Sequence, residues 1–156
     1  MTEILFYLSD HKGTRAQFDL VCRLLKRRLK HAETRNLKTY IHVQEQQTAE
    51  ELDEALWVFE PSAFIPHCLY PHHSTTADIL IGCEPPPKQM DCLFNLSTQP
   101  VPAYDQFKQL SELVPADEQA VQLARERYRL YRSQQHPLKT FKMNGIYHRH
   151  FLSDRH

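Results

Sequence analysis

An apolar run, then an amphipathic helix, then a second apolar run is the pattern that most constrains how this chain folds. "EILFYL" (Glu3–Leu8) is apolar along nearly its whole length. "TRAQFDLVCRLLKRRLKH" follows it, with Phe18, Val21, Cys22, Leu25 and Leu29 recurring on one helical face. "TYIHVQ" (Thr39–Gln44) is apolar again. Strands without polar alternation are covered on both faces, and a strand–helix–strand order places the two strands parallel in one sheet.

The remaining chain continues the pattern. "TAEELDEALWVF" predicts a second helix, opened by a capping box of Thr48 and Glu51. "ADILIGC" and "MDCLFNL" read as short strands separated by "EPPPKQ", which no helix crosses. A short helix near Tyr104–Phe107 and a strand "LSELV" lead to Pro115. A last long helix spans Ala116–Gln135, with Asp117 and Glu118 at its start and arginines toward its end, as the helix dipole favours. The expected fold is a three-layer α/β domain over residues 1–143, a mixed, largely parallel sheet flanked by helices. Residues 144–156 form a C-terminal extension with little periodicity.

At 156 residues one domain is expected, and 41% hydrophobic residues supply its core. No apolar run approaches the roughly 18 residues of a membrane span, and no signal-peptide pattern opens the chain. The cysteines Cys22, Cys68, Cys83 and Cys92 form no CxxC pair and suit reduced thiols in a cytoplasmic protein. The three glycines Gly13, Gly82 and Gly145 stand alone, which excludes a P-loop and a dinucleotide fingerprint. The net charge of zero hides a polarity. Residues 1–124 hold 11 Lys/Arg against 17 Asp/Glu, whereas residues 125–156 hold 8 against 2, so one end favours an anionic partner.

Four segments carry candidate chemistry. "FIPHCLYPHH" collects His67, Cys68, His72 and His73, all zinc-capable, at a spacing that matches no established zinc pattern. The basic patch Arg23–Lys30 is either a solvated helix back or a phosphate contact. The second helix carries Trp57 and breaks before Pro61, and a further apolar group, Phe64, Ile65 and Pro66, follows. These side chains are either core or an exposed patch for a partner, since Trp is enriched at binding hot spots. "LARERYRLYR" (Leu123–Arg132) carries the fourth. Its spacing turns Val121, Ala124, Tyr128 and Tyr131 toward the sheet and sets Arg125, Arg129 and Arg132 on an adjacent face, with Tyr128 at the border. Only Glu126 lies near these arginines in sequence, so an external anion such as a carboxylate is the favoured partner.

"FYL" at Phe6–Leu8, "LDEALW" at Leu52–Trp57, "SAFIPH" at Ser62–His67, "LVP" at Leu113–Pro115 and "QLARERYRLYR" at Gln122–Arg132 together resemble the chi subunit family of bacterial DNA polymerase III. The resemblance runs to about Met143; the loop "YPHHSTT" is shorter than the family's, and residues 145–156 extend past its usual end. It implies a non-catalytic replisome adaptor without cofactor or bound metal, cytoplasmic and associated with the nucleoid. Its implied partners are the psi subunit of the clamp loader and the acidic C-terminal tail of single-stranded DNA-binding protein, with an accessory repair helicase conceivable on the psi surface. DNA is then met only indirectly. By position, Trp57 and Phe64, with Ile65 and Pro66 as neighbours, match the psi-contacting surface. Val114, Arg125, Tyr128 and Arg129, with Arg132 beside them, match the tail pocket. Two other functions stay open on the residues alone: direct nucleic-acid binding through the basic helices, and metal-dependent catalysis at the His/Cys cluster.

Overall fold

The first apolar run forms β1 (Glu3–Ser9), and the amphipathic segment after Gly13 forms α1 (Thr14–Leu29). β2 (Thr39–His42) and α2 (Gln46–Phe59) repeat the unit. β3 (Cys68–Leu69), β4 (Ile79–Gly82), β5 (Cys92–Asn95) and β6 (Gln109–Val114) follow, with a single 3-10 turn at Tyr104–Gln106. α3 (Glu118–Ser133) and β7 (Leu138–Met143) complete the domain. The structure, a computed structural model, describes residues 2–59, 67–71 and 77–143.

The strands form one sheet in the order β3-β4-β2-β5-β6-β1-β7. Every pairing among the described strands is parallel, so the largely parallel sheet expected from the sequence has no antiparallel member here. Parallel neighbours require crossover connections, and these cover the two faces. α1 and α2 bury Phe18, Val21, Leu25, Leu52 and Leu56 against one face, on Leu5, Ile41, Ile81 and Phe94. α3, with Val101, Tyr104 and Phe107 of the β5–β6 connection, covers the other, on Ile4, Phe6, Leu80, Leu93 and Leu110. The result is the three-layer α/β architecture.

One local expectation is corrected. Thr48 does not cap α2: the helix already begins at Gln46, and the Ala49 amide donates to the carbonyl of Glu45, so Thr48 lies inside the first turn. Asp117 precedes α3 as its cap residue but makes no side-chain capping bond. Its carboxylate instead accepts the Gly13 amide at 2.7 Å, tying the start of α3 to the loop that opens α1. Gly13 holds a φ of 92° there, a conformation open to glycine at little cost.

Candidate peptide-docking surfaces

β6 carries one acid on its α3-facing side, between Leu110 and Val114. Glu112 is 0% exposed and faces α3. Burial raises its carboxyl pKa, opposed by three donors that satisfy the charged form. Arg127 Nε donates to it at 3.0 Å, Tyr131 Oη at 2.5 Å, and Asn95 Nδ2 reaches both oxygens at 3.1 and 3.2 Å. Arg127 Nη1 also donates to the Thr98 carbonyl at 2.7 Å, so the guanidinium binds the β5–β6 connection as well. One of the arginines in "LARERYRLYR" is therefore an internal cation, only 5% exposed, neutralised by an acid 15 residues earlier. The spacing of apolar residues could not place it, because Arg127 shares the packed side with Ala124 and Tyr131. The available signal was Glu112 itself, since an acid within a buried strand requires a charged or hydrogen-bonding partner.

The other three arginines sit elsewhere. Arg125, Arg129 and Arg132 are exposed, and none enters an ion pair among the described residues. Tyr128 is half-buried between the two sides of α3, its ring 5.4 Å from that of Phe6 on β1. Packing against Phe6 orders the ring while part of it stays accessible. Val121, one turn before Arg125, reaches a pocket of about 330 Å³ at the C-terminal ends of β1, β6 and β7. Leu8, Val114, Lys142 and Met143 line the same pocket, with Asp10 at its edge. Leu8, Val114 and Lys142 form one cross-strand row, which explains how residues from three strands converge. Val114 is itself buried and contributes a wall, whereas Arg125, Tyr128, Arg129 and Arg132 lie along the helix beyond the pocket's lining. An apolar pocket beside uncompensated guanidinium groups is chemically suited to an apolar group carrying a carboxylate.

At the far side of the molecule, Trp57 is 50% exposed and Val58 67% exposed on the last turns of α2. The Trp57 ring lies 4.7 Å from the imidazole of His67, whose Nε2 is 3.1 Å from Asp53 Oδ1. The ring is thus backed by a buried histidine rather than inserted into the core. Phe64, Ile65 and Pro66 lie outside the described residues.

The zinc-capable cluster does not assemble among the described residues, where no group of three or more His, Cys, Asp or Glu is placed to hold a metal ion. His67 is turned to Asp53, Cys68 is half-buried on β3, and His72 and His73 lie outside the described residues. The basic patch is also partly engaged. Arg23 pairs with Asp19 at 2.9 Å, and Arg28 donates to Thr39 Oγ1 at 2.6 Å. No helix of the described residues is long and apolar enough to cross a membrane.

Residues 1–139 match the model of the family described as DNA polymerase III chi subunit, HolC. A protein of Pseudomonas aeruginosa named DNA polymerase III subunit chi is 31% identical over 147 residues, covering 94% of this chain and 100% of the relative. A protein of Escherichia coli with the same name is 30% identical over 139 residues, covering 85% of this chain and 92% of the relative. With its parallel sheet and three helices the chain belongs to the chi subunit family of DNA polymerase III, an accessory subunit of the replisome.

Proposed function

We propose that the chain is a non-catalytic adaptor that holds the clamp loader to single-stranded DNA coated by its binding protein. One surface, centred on Trp57 with Phe64, Ile65 and Pro66 after it, takes the psi subunit; an accessory repair helicase would compete for it. The other, on α3, takes the acidic C-terminal tail of single-stranded DNA-binding protein. Arg125 and Arg129, with Arg132 beside them, receive the tail's carboxylates, and the terminal hydrophobic side chain enters the slot bordered by Val114 and Tyr128. The carrying observation is the exposed arginine trio without internal carboxylates, next to a ring anchored on Phe6 and an apolar pocket.

A fluorescent tail peptide titrated with the protein tests this. Arg125→Ala and removal of the peptide's last residue are each expected to weaken binding on the order of tenfold or more, as a charge-assisted bond is lost. Unchanged affinity in both would sink the assignment. Tight, salt-sensitive binding of bare single-stranded DNA without peptide binding would favour the direct nucleic-acid reading instead.

A further inference from the structure

A second cavity, of about 330 Å³, opens between α1 and the sheet, on the face opposite α3. Its floor is a cross-strand row, Leu5–Ser111–Phe94, in which Ser111 is the small member. Ser111 is 2% exposed, and its hydroxyl has no hydrogen-bond partner among the described residues. The hydroxyl faces the cavity and is free to donate to a group that enters it.

The cavity's upper wall is basic. Arg27, Arg28 and His31 line it from the last turns of α1 and the turn beyond, with Glu33 the acid at the rim. Arg28 is half-buried and held in one orientation. Its Nη1 donates to Thr39 Oγ1 at 2.6 Å, its Nη2 to Gln109 Oε1 at 3.3 Å, and its guanidinium lies 4.9 Å over the Phe94 ring. Among the described residues it has no carboxylate partner. A half-buried, oriented guanidinium facing only neutral acceptors has a net charge to satisfy, and an entering anion satisfies it without reorganising the site.

We propose that this cavity receives a phosphate monoester carried on a small aromatic ring system, the chemistry of a nucleoside monophosphate. Arg27, Arg28 and His31 surround one anionic group, and Ser111 donates to one of its oxygens. A phosphate presents three acceptor oxygens to such a set, where a carboxylate presents two. The volume exceeds that of a bare phosphate and leaves room for a ring against Tyr7 and Leu5. The site shares no residue with the α3 surface or with Trp57, so it stands apart from the proposed adaptor role.

Titration of the full chain with adenosine 5′-monophosphate, adenosine and inorganic phosphate, followed by amide NMR, tests this. The monophosphate is expected to shift amides at the end of α1 and along β6. Inorganic phosphate should bind on the order of tenfold more weakly, and adenosine should leave those amides unmoved. Ser111→Ala should weaken the monophosphate on the order of tenfold without lowering the melting temperature, since the hydroxyl has no internal partner. His31→Ala, at an exposed position, gives the same test even if the first variant fails to fold. Tail-peptide affinity should stay unchanged in both variants, which separates this site from the α3 reading. A short strand preferred when 5′-phosphorylated over its 5′-hydroxyl form would identify a nucleic-acid end as the source of the phosphate; equal binding of the two strands would identify the free nucleotide. Equal shifts by adenosine and its monophosphate, shifts confined to α3, or full binding by both variants would overturn the proposal.

Discussion

Glu112 and Arg127 show what one buried charge demands of its surroundings. Removing either partner leaves the other without compensation in the interior, which typically costs about 3–5 kcal/mol. Glu112→Gln and Arg127→Leu are both expected to lose stability of that order in urea unfolding. The two losses should be strongly non-additive, because the double variant removes the stranded charge. The pH dependence has a definite sign. Burial raises the Glu112 carboxyl above its ordinary 4.5, and in Arg127→Leu the Arg127 charge no longer opposes that rise. A carboxyl raised on folding contributes stability below its unfolded value and loses that contribution as pH rises through its folded value. The deficit of Arg127→Leu against the wild type should therefore be smaller at pH 4 than at pH 7. A deficit that is flat with pH would mean that Glu112 keeps its charge without Arg127.

Cys22 makes a second prediction at this scale. Burial, with Asp19 adding to it, pushes its thiol up to about 12, and burial also raises Cys92. The thiolate is the reactive form. Both should resist a thiol reagent at pH 8 until the protein unfolds, whereas half-buried Cys68 and Cys83 should react earlier. Rapid modification of all four cysteines in the folded state would show that the α1 layer opens readily.

At the scale of elements, the long periodic segments were legible and the marginal ones were not. α1 and α3 declare themselves through apolar positions three and four apart, and β1, β4 and β5 through runs too apolar to face water. β3 has only two residues, too few to carry a period. β7 is an edge strand whose alternation is confined to Phe141 and Met143, buried between exposed lysines and a threonine. That short pattern was the missed signal. The capping box failed for another reason: Thr48 and Glu51 have the right spacing, but the chain leaves β2 already turning into helix at Gln46. In the α3 site, helical spacing separated the exposed arginines from the tyrosines, yet could not find Glu112, which meets Arg127 only through the β6–α3 packing.

Gly82 shows how tightly β4 ends. A Cβ built there would lie 2.7 Å from Tyr40 Oη and 2.7 Å from the Tyr70 carbonyl oxygen. Tyr40 is fixed by donating to the Glu84 carbonyl at 2.6 Å, so neither neighbour yields freely. Gly82→Ala should cost about 1–3 kcal/mol, the usual range for overpacking, read as a lower urea midpoint at unchanged slope. A neutral result would mean that the Tyr70 turn shifts to make room.

At the scale of the whole molecule, the sheet separates the two proposed docking surfaces. α2 packs on β3 and β4, at one edge of the sheet and on the α1 side. α3 packs on the opposite face, and its Tyr128 contacts Phe6 of β1, near the other edge. A rigid layer between two sites transmits coupling only through an element with two discrete arrangements, and the two surfaces share no element among the described residues. Psi and the tail should therefore bind together and independently. Trp57→Ala is expected to weaken psi on the order of tenfold or more, as a hot-spot aromatic does, while leaving tail-peptide affinity unchanged. Arg129→Ala should do the reverse, and the double variant should show coupling below about 0.5 kcal/mol, the limit for independent sites. Salt separates the surfaces further. The arginine site should weaken steadily as ionic strength rises, and the Trp57 site should respond little, since apolar burial is not screened. If psi binding instead changed the tail affinity severalfold, the sheet or the β6–α3 charge network would have to shift between two states, and Glu112→Gln would be the variant in which that coupling fails first.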